Sequence, residues 1–198
     1  MTVSTVKAKV CLVGDKAVGK TSLVRRYVLD EFSDEYLNTI GAKTTKHEVL
    51  LSDAEAGDGG ALIQMTIWDI MGETSFRELL REAYFSGARG ILAVCDITRP
   101  ETLSNLEAWV REVIGFAGPV PVVLLGNKAD LSAEALVRDL DLLAFAERHR
   151  APWTFTSAKT GQGVEWSFRQ LAMLVAGNRD AEGNAPSATV AASRGRSP

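Results

Sequence analysis

Short apolar runs in this chain alternate with longer stretches whose apolar residues recur at helical spacing. The runs predict strands at residues 7–13, 43–52, 61–69, 90–96, 121–125 and 153–156. The periodic stretches predict helices at residues 20–29, 73–86, 100–116, 133–149 and 164–176. This alternation is typical of a parallel sheet with helices on both faces, and therefore of an α/β fold.

Two segments interrupt the pattern. Residues 53–60 are rich in Gly, Asp and Ala and predict an exposed hairpin loop between two strands. After residue 177 the composition shifts to Ala, Ser, Gly, Arg and Pro, which predicts disorder. We therefore expect one folded domain over residues 1–177 and a disordered tail over residues 178–198.

Composition narrows the class of protein. The chain has 198 residues, 46% of them hydrophobic and 24% charged, which suits a single globular domain. Its net charge of −3 offers no basic surplus for nucleic acid or an anionic membrane. Cys11 and Cys95 lie inside apolar runs, so we expect them to be buried. With no stretch that resembles a signal peptide or a membrane span, we expect a cytoplasmic protein.

A glycine-rich segment follows the first predicted strand and opens the first predicted helix. It reads Gly14-Asp15-Lys16-Ala17-Val18-Gly19-Lys20-Thr21, which matches the phosphate-binding pattern G-x-x-x-x-G-K-[ST]. Glycines let such a loop curl so that its backbone N–H groups meet phosphate oxygens, and the helix adds its positive end. Lys20 is expected to reach the β- and γ-phosphates and Thr21 to bind Mg²⁺. Ser22, the next residue, is expected to contact the nucleotide.

Two later segments indicate which base is bound. Asn127-Lys128-Ala129-Asp130 stands at the end of a buried strand, where ligands of parallel sheets bind. The Asp130 carboxylate suits guanine N1–H and the 2-amino group, donors that adenine lacks. Lys128 can lay its aliphatic stem along the base. Ser157-Ala158-Lys159 follows the last strand, where the Ala158 N–H could reach the guanine carbonyl.

Residues suited to sensing the γ-phosphate lie between these segments. Asp69 ends the third strand, where it could hold Mg²⁺ through water, and the N–H of Gly72 could meet the γ-phosphate. The Thr39 hydroxyl could join the metal only when that phosphate is present, so its loss would release the loop. Phe32 could pack edge-on against guanine or serve as a plain core aromatic.

These segments together resemble the Ras superfamily of small GTPases over residues 7–176, and the Rab branch most. The resemblance rests on the segments above and on Thr39-Ile40-Gly41, Trp68-Asp69-Ile70-Met71-Gly72-Glu73, Tyr84 to Gly90 and Cys95-Asp96-Ile97-Thr98. It implies a three-layer P-loop NTPase fold, the G domain, with six mostly parallel strands. It also implies GTP or GDP and Mg²⁺ as ligands, with Thr21, Thr39 and Asp69 at the metal and Lys20, Thr39, Gly72 and Glu73 serving hydrolysis.

The chain departs from the family pattern at several positions. Glu73 replaces the usual water-orienting Gln and brings negative charge toward the γ-phosphate. Lys16 stands where Gly or Ser is common. Its charge could offset Glu73 or stabilise the transition state, whereas its bulk could block an arginine finger. Ile70 and Met71 replace a Thr-Ala pair, and Thr44 replaces a Phe that partners of Rab proteins contact.

Three hypotheses follow. The first is a GTP-hydrolysing switch with a slow intrinsic rate, whose switch segments meet effectors, an exchange factor and a GTPase-activating protein. The second is a GTP-binding scaffold with little or no turnover, motivated by Lys16, Met71 and Glu73. The third is a P-loop kinase or ATPase, for which no adenine site or acceptor lid is apparent. We expect a monomer without a lipid anchor, since no Cys lies near the carboxyl end.

Overall fold

The fold is built on one sheet of six strands. A computed structural model describes residues 3–33, 41–56, 60–72 and 82–178. Strand order across the sheet is β2-β3-β1-β4-β5-β6, with β2 antiparallel to β3 and every other neighbouring pair parallel. The strands are β1 (Ser4–Val13), β2 (Ala42–Leu51), β3 (Ala61–Ile70), β4 (Ala88–Asp96), β5 (Val122–Asn127) and β6 (Trp153–Thr156). The predicted α/β fold with a mostly parallel six-stranded sheet is confirmed.

Helices cover both faces of this sheet. They are α1 (Lys20–Leu29), the single turn α2 (Asp53–Ala56), α3 (Pro100–Ala117), α4 (Asp139–His149) and α5 (Val164–Gly177). Residues 82–85 are also helical, and Ala129–Glu134 forms a 3₁₀ helix. None of the helices in the described ranges is long and apolar enough to cross a membrane.

Two apolar cores lie on opposite faces of the sheet. The first contains buried side chains of α1 and α5, such as Leu23 and Phe168. The second contains those of α3 and α4, such as Leu106 and Phe145, together with both cysteines. Cys11 and Cys95 are fully buried free thiols, as predicted, and burial raises the pKa of each to about 12.

Tertiary contacts override the sequence pattern in two places. The helix predicted over residues 133–149 begins only at Asp139, because the N–H groups of Leu136 and Val137 bind the carbonyl of Ile97 instead of continuing a helix. The loop predicted over residues 53–60 contains α2. Residues 73–81 of a predicted helix and the tail after residue 178 lie outside the described ranges.

The parallel strands define where a ligand would bind. β1, β3, β4, β5 and β6 all run the same way, so their carboxyl ends meet along one edge of the sheet. In open α/β sheets this edge is the usual ligand site. The phosphate-loop segment, the segment containing Asp69 and Gly72, and the two predicted base-reading segments all follow strands that end there. Tyr84 to Gly90 instead leads into β4, and the stretch containing Phe32 and Thr39 comes after α1 in the sequence.

Candidate functional site

The phosphate-loop segment, residues 14–21, curls between β1 and α1. Gly14, Ala17 and Gly19 have positive φ angles of 139°, 62° and 99°, which turn the backbone back on itself. The Lys20 ammonium lies inside the curl and donates to the carbonyls of Gly14 at 2.7 Å and Asp15 at 2.8 Å. Burial lowers the pKa of Lys20 to about 8. The loop therefore holds a buried cation above the helix N-terminus, which is the arrangement that binds phosphate.

Gly19 is required here by close approach as well as by its φ angle. A Cβ at this position would lie 2.3 Å from the Asn127 side-chain nitrogen. We expect Gly19→Ala to lower the free energy of unfolding by about 2–4 kcal/mol, because it adds a clash to left-handed strain. Gly115→Ala is the control, since its Cβ would meet nothing within 4 Å in α3.

The control should instead raise stability by about 0.5–1 kcal/mol, the usual gain of Ala over Gly in a helix. Urea denaturation of the two nucleotide-free variants measures both changes. Equal stability of Gly19→Ala and wild type would show that the loop adjusts freely to a side chain.

A candidate metal site lies where α1 begins and β3 ends. The Thr21 hydroxyl donates to Asp69 Oδ2 at 2.5 Å. Asp69 is 2% exposed, and its Oδ1 has no hydrogen-bond partner among the described residues. Burial raises the pKa of Asp69, although the Thr21 hydroxyl and the charges of Lys20 and Lys43 favour the ionised form. A buried carboxylate oxygen without a donor beside a hydroxyl fits a hard cation such as Mg²⁺.

The described residues alone supply too few ligands to enclose this metal. Within the described ranges, no group of three or more His, Cys, Asp or Glu side chains could hold an ion. Mg²⁺ commonly binds through one or two carboxylates together with substrate phosphates. The Thr21–Asp69 pair fits that mode, since it adjoins the phosphate loop.

The stretch that begins at Asp69 and contains Gly72, which we call the second switch segment, begins beside the phosphate loop. A Cβ on Gly72 would lie 2.4 Å from the backbone nitrogen of Lys16, so only glycine fits this approach. The N–H of Met71 donates to the carbonyl of Gly41 at 2.9 Å, and Ile70 is buried. The structure thus packs Gly72 against the Asp15–Lys16 peptide of the phosphate loop. Thr39 and Glu73, predicted at the metal and the water, lie outside the described residues.

Asn127 ties the phosphate loop to the segments predicted to read the base. Its side-chain amide donates to the carbonyl of Val18 at 2.8 Å, and its side-chain oxygen accepts the Thr156 hydroxyl at 3.1 Å. Asn127 is 1% exposed, so these bonds are shielded from water. Its side chain therefore fixes the spacing between the loop and the ends of β5 and β6.

The two predicted base-reading loops touch one another. The Ser157 hydroxyl donates to Asp130 Oδ1 at 2.5 Å, while Asp130 remains exposed to solvent. Lys128 adopts the left-handed conformation with φ of 71°, and its ammonium lies 2.6 Å from Asp96 Oδ2. Ala158 is buried and Lys159 is exposed. A carboxylate is thus positioned by a hydroxyl and left open to a ligand at the edge of the sheet.

Arg26 supports the second of these loops from α1. Its Nε donates to the carbonyl of Ala158 and its Nη2 to that of Lys159, each at 2.8 Å. Arg26 also binds the carboxylate of Asp30 at 2.8 Å. The helix that follows the phosphate loop therefore also braces the predicted guanine loop, a role that no motif in the sequence indicated.

Two residues predicted to contact the nucleotide show mainly structural surroundings. Phe32 is half-buried and packs against the first apolar core. Ser22 is half-buried in the first turn of α1, next to Thr21. The sequence left open that Phe32 serves as a plain core aromatic, and its packing against the core matches that alternative.

Sequence reasoning missed a set of residues around the start of α3. Asp96, Arg99, Asn105 and Trp109 all hydrogen-bond to the phosphate loop or to Lys128. The Cys95-Asp96-Ile97-Thr98 block gave a signal for Asp96, but nothing in the sequence paired Arg99 with a loop 83 positions away.

The phosphate loop, the candidate metal site and the base-reading loops together define a class of protein. A curled loop around a buried lysine suits a phosphate, a buried carboxylate oxygen without a donor among the described residues suits a metal, and an exposed carboxylate on the adjoining loops suits the donors of a base. All three lie along one edge of a parallel sheet. The chain is therefore a P-loop nucleotide-binding protein.

Comparison with known proteins identifies the family. The sequence model of the Ras family matches residues 9–176. The chain is 34% identical over 186 residues to GTP-binding protein YPTM2 of Zea mays, covering 92% of this chain and 88% of that protein. It is 36% identical over 185 residues to Ras-related protein Rab-21 of Geodia cydonium, covering 93% and 75%. The chain belongs to the Ras family of GTP-binding small GTPases and is Rab-like.

Proposed function

We propose that this chain is a guanine-nucleotide switch that binds GTP or GDP with Mg²⁺ and hydrolyses GTP slowly. The observation that carries the proposal is the Asn127 bridge, because it joins the phosphate loop to the strand ends that present Asp130 and Ser157. One nucleotide spanning that bridge would place its phosphates at Lys20 and its base at Asp130.

The residues divide the work of hydrolysis as follows. Lys20 would offset charge on the β- and γ-phosphates, while Thr21 and Asp69 would hold the Mg²⁺, which would supply further positive charge there. Gly72 packs against the Asp15–Lys16 peptide of the phosphate loop, and we assign its N–H to a γ-phosphate oxygen. Water would attack the γ-phosphorus in line while the bond from that phosphorus to the bridging oxygen of GDP breaks, so that GDP and inorganic phosphate are released. We assign the orientation of the water to Glu73, and Thr39 would join the metal ligands in the GTP state. Loss of the γ-phosphate would release both switch segments, the one containing Thr39 and the one containing Gly72. These segments are the surfaces that would meet effectors, an exchange factor and a GTPase-activating protein.

A GTP-binding scaffold with little turnover is the second candidate. Ile70 is buried in the second core and the Met71 N–H is bound to Gly41, so the start of the second switch is anchored. Such anchoring would hinder the rearrangement that a switch needs. Lys16 is exposed at the rim of the phosphate loop, where its bulk would obstruct an arginine supplied by a partner.

Single-turnover hydrolysis separates these two candidates. We expect wild-type protein preloaded with GTP and Mg²⁺ to release phosphate at about 10⁻⁴ s⁻¹, the order of an unassisted small GTPase. Glu73→Gln should raise this rate roughly tenfold, because the amide orients water without adding negative charge near the γ-phosphate. Lys16→Ser, measured in the same assay, tests whether the side chain at this position of the phosphate loop affects the rate of phosphate release. Phosphate release indistinguishable from free GTP in the wild type would establish the scaffold.

A further inference from the structure

The turn between β4 and α3 is built around the carboxylate of Asp96, which is 1% exposed. Its Oδ1 accepts the N–H of Thr98 at 3.0 Å and the Thr98 hydroxyl at 2.7 Å. Its Oδ2 accepts the Lys128 ammonium at 2.6 Å and Arg99 Nε at 3.0 Å. Four donors, two of them cations, therefore fix one buried anion, and Lys128 and Arg99 are held against the same oxygen.

Arg99 extends this contact to the phosphate loop. While its Nε binds Asp96, its Nη2 donates to the carbonyl of Lys16 at 3.0 Å. Its backbone is fixed as well, since its N–H donates to the Asp96 carbonyl at 2.9 Å and its carbonyl accepts the Thr102 hydroxyl at 2.7 Å. The planar guanidinium is thus a rigid bridge between a buried anion and the loop.

The same segment holds the neighbouring loop residue. Asn105 and Trp109 of α3 donate to the two carboxylate oxygens of Asp15, at 2.7 Å and 3.0 Å respectively. Trp109 is 1% exposed, so its ring is locked in the second core. The position of the Asp15–Lys16 peptide is therefore set by three side chains from residues 99–109 as well as by the loop itself.

We propose that Arg99 is a positioning residue that fixes the phosphate loop relative to the base-contacting Lys128 and thereby slows nucleotide release. The inference rests on the proposed function, because it assumes a guanine nucleotide bound across both subsites. Subsites held at a fixed spacing keep both ends of the ligand engaged at once, whereas independent subsites let it detach end by end.

Release of a fluorescent GDP analogue from the Mg²⁺-loaded protein tests this role. Arg99→Met keeps the aliphatic stem and removes the bridge, so we expect release to accelerate roughly tenfold, the value of one charge-assisted hydrogen bond. Association should change by less than about twofold, since the binding surfaces persist. Arg99→Lys should fall between, because an ammonium reaches Asp96 or the Lys16 carbonyl but cannot span both. Arg111→Met is the control, as Arg111 is 77% exposed and pairs only loosely with Glu107.

A double-mutant cycle distinguishes positioning from general loosening. Because Arg99 and Lys128 share Asp96 Oδ2, the accelerations caused by Arg99→Met and Lys128→Met should combine to less than their product. The inference is overturned if Arg99→Met releases the analogue at the wild-type rate, if Arg111→Met matches it, or if the two accelerations multiply. A wild-type protein that does not bind the analogue overturns the proposed function itself, which is a different result.

Discussion

Asp130→Asn should weaken GDP binding by roughly 10³- to 10⁴-fold and transfer preference to xanthine nucleotides. Asp130 is exposed, and the Ser157 hydroxyl donates to its Oδ1 at 2.5 Å, so the carboxylate is held in place and open to a ligand. Guanine presents two N–H donors to it. An amide replaces one acceptor with a donor, which opposes guanine but suits the 2-carbonyl of xanthine.

Competition between labelled GDP and unlabelled GDP, XDP or ATP measures this preference. Glu134→Gln is a matched control, because it removes one exposed negative charge from the same 3₁₀ helix without touching the base. Its nucleotide affinities should equal those of the wild type. If Asp130→Asn gains no affinity for XDP, Asp130 does not read the base, and a wild type that prefers ATP would favour the kinase or ATPase hypothesis.

Local chemistry explains why much of the site was predictable. Residues 14–21 must combine glycines, a lysine and a hydroxyl in one continuous stretch, since a phosphate is wrapped by consecutive backbone N–H groups. Asn127 and Asp130 follow a buried strand, and a strand of that kind is visible as an apolar run. β5 in fact continues through Asn127, two residues beyond the predicted end, because Asn127 pairs with Thr156 and Asp96 in the neighbouring strands.

Contacts between distant segments explain what was not predictable. Glu55 of α2 binds Arg169 of α5 at 2.6 Å, across 114 positions, and this pair docks a helical turn where composition indicated only a loop. Arg26 reaches the carbonyl of Ala158 across 132 positions in the same way. The Arg99 bridge is of this kind too. Such contacts depend on where the fold brings side chains together, and no local periodicity encodes them.

Asp69→Asn should uncouple nucleotide release from Mg²⁺. In the wild type, removing the metal with EDTA should accelerate GDP release on the order of a hundredfold, because the charge that a dication offsets on the phosphates is worth several kcal/mol. In the variant, the Mg²⁺ concentration that halves the release rate should rise at least about tenfold, since the neutral amide no longer attracts a cation or its bound water. Fluorescent GDP release titrated with Mg²⁺ measures both.

The same substitution should stabilise the nucleotide-free protein. Asp69 Oδ1 is buried without a donor among the described residues, and burial raises the pKa of this carboxyl, so the fold disfavours its charge. Replacing it by an amide should raise the thermal midpoint by about 2–4 °C, the shift expected for 1 kcal/mol in a domain of this size. Asp53→Asn, at an exposed position in α2, should change neither property. A fall in the midpoint, or unchanged Mg²⁺ dependence, would mean that Asp69 is a structural carboxylate and that the metal is held elsewhere.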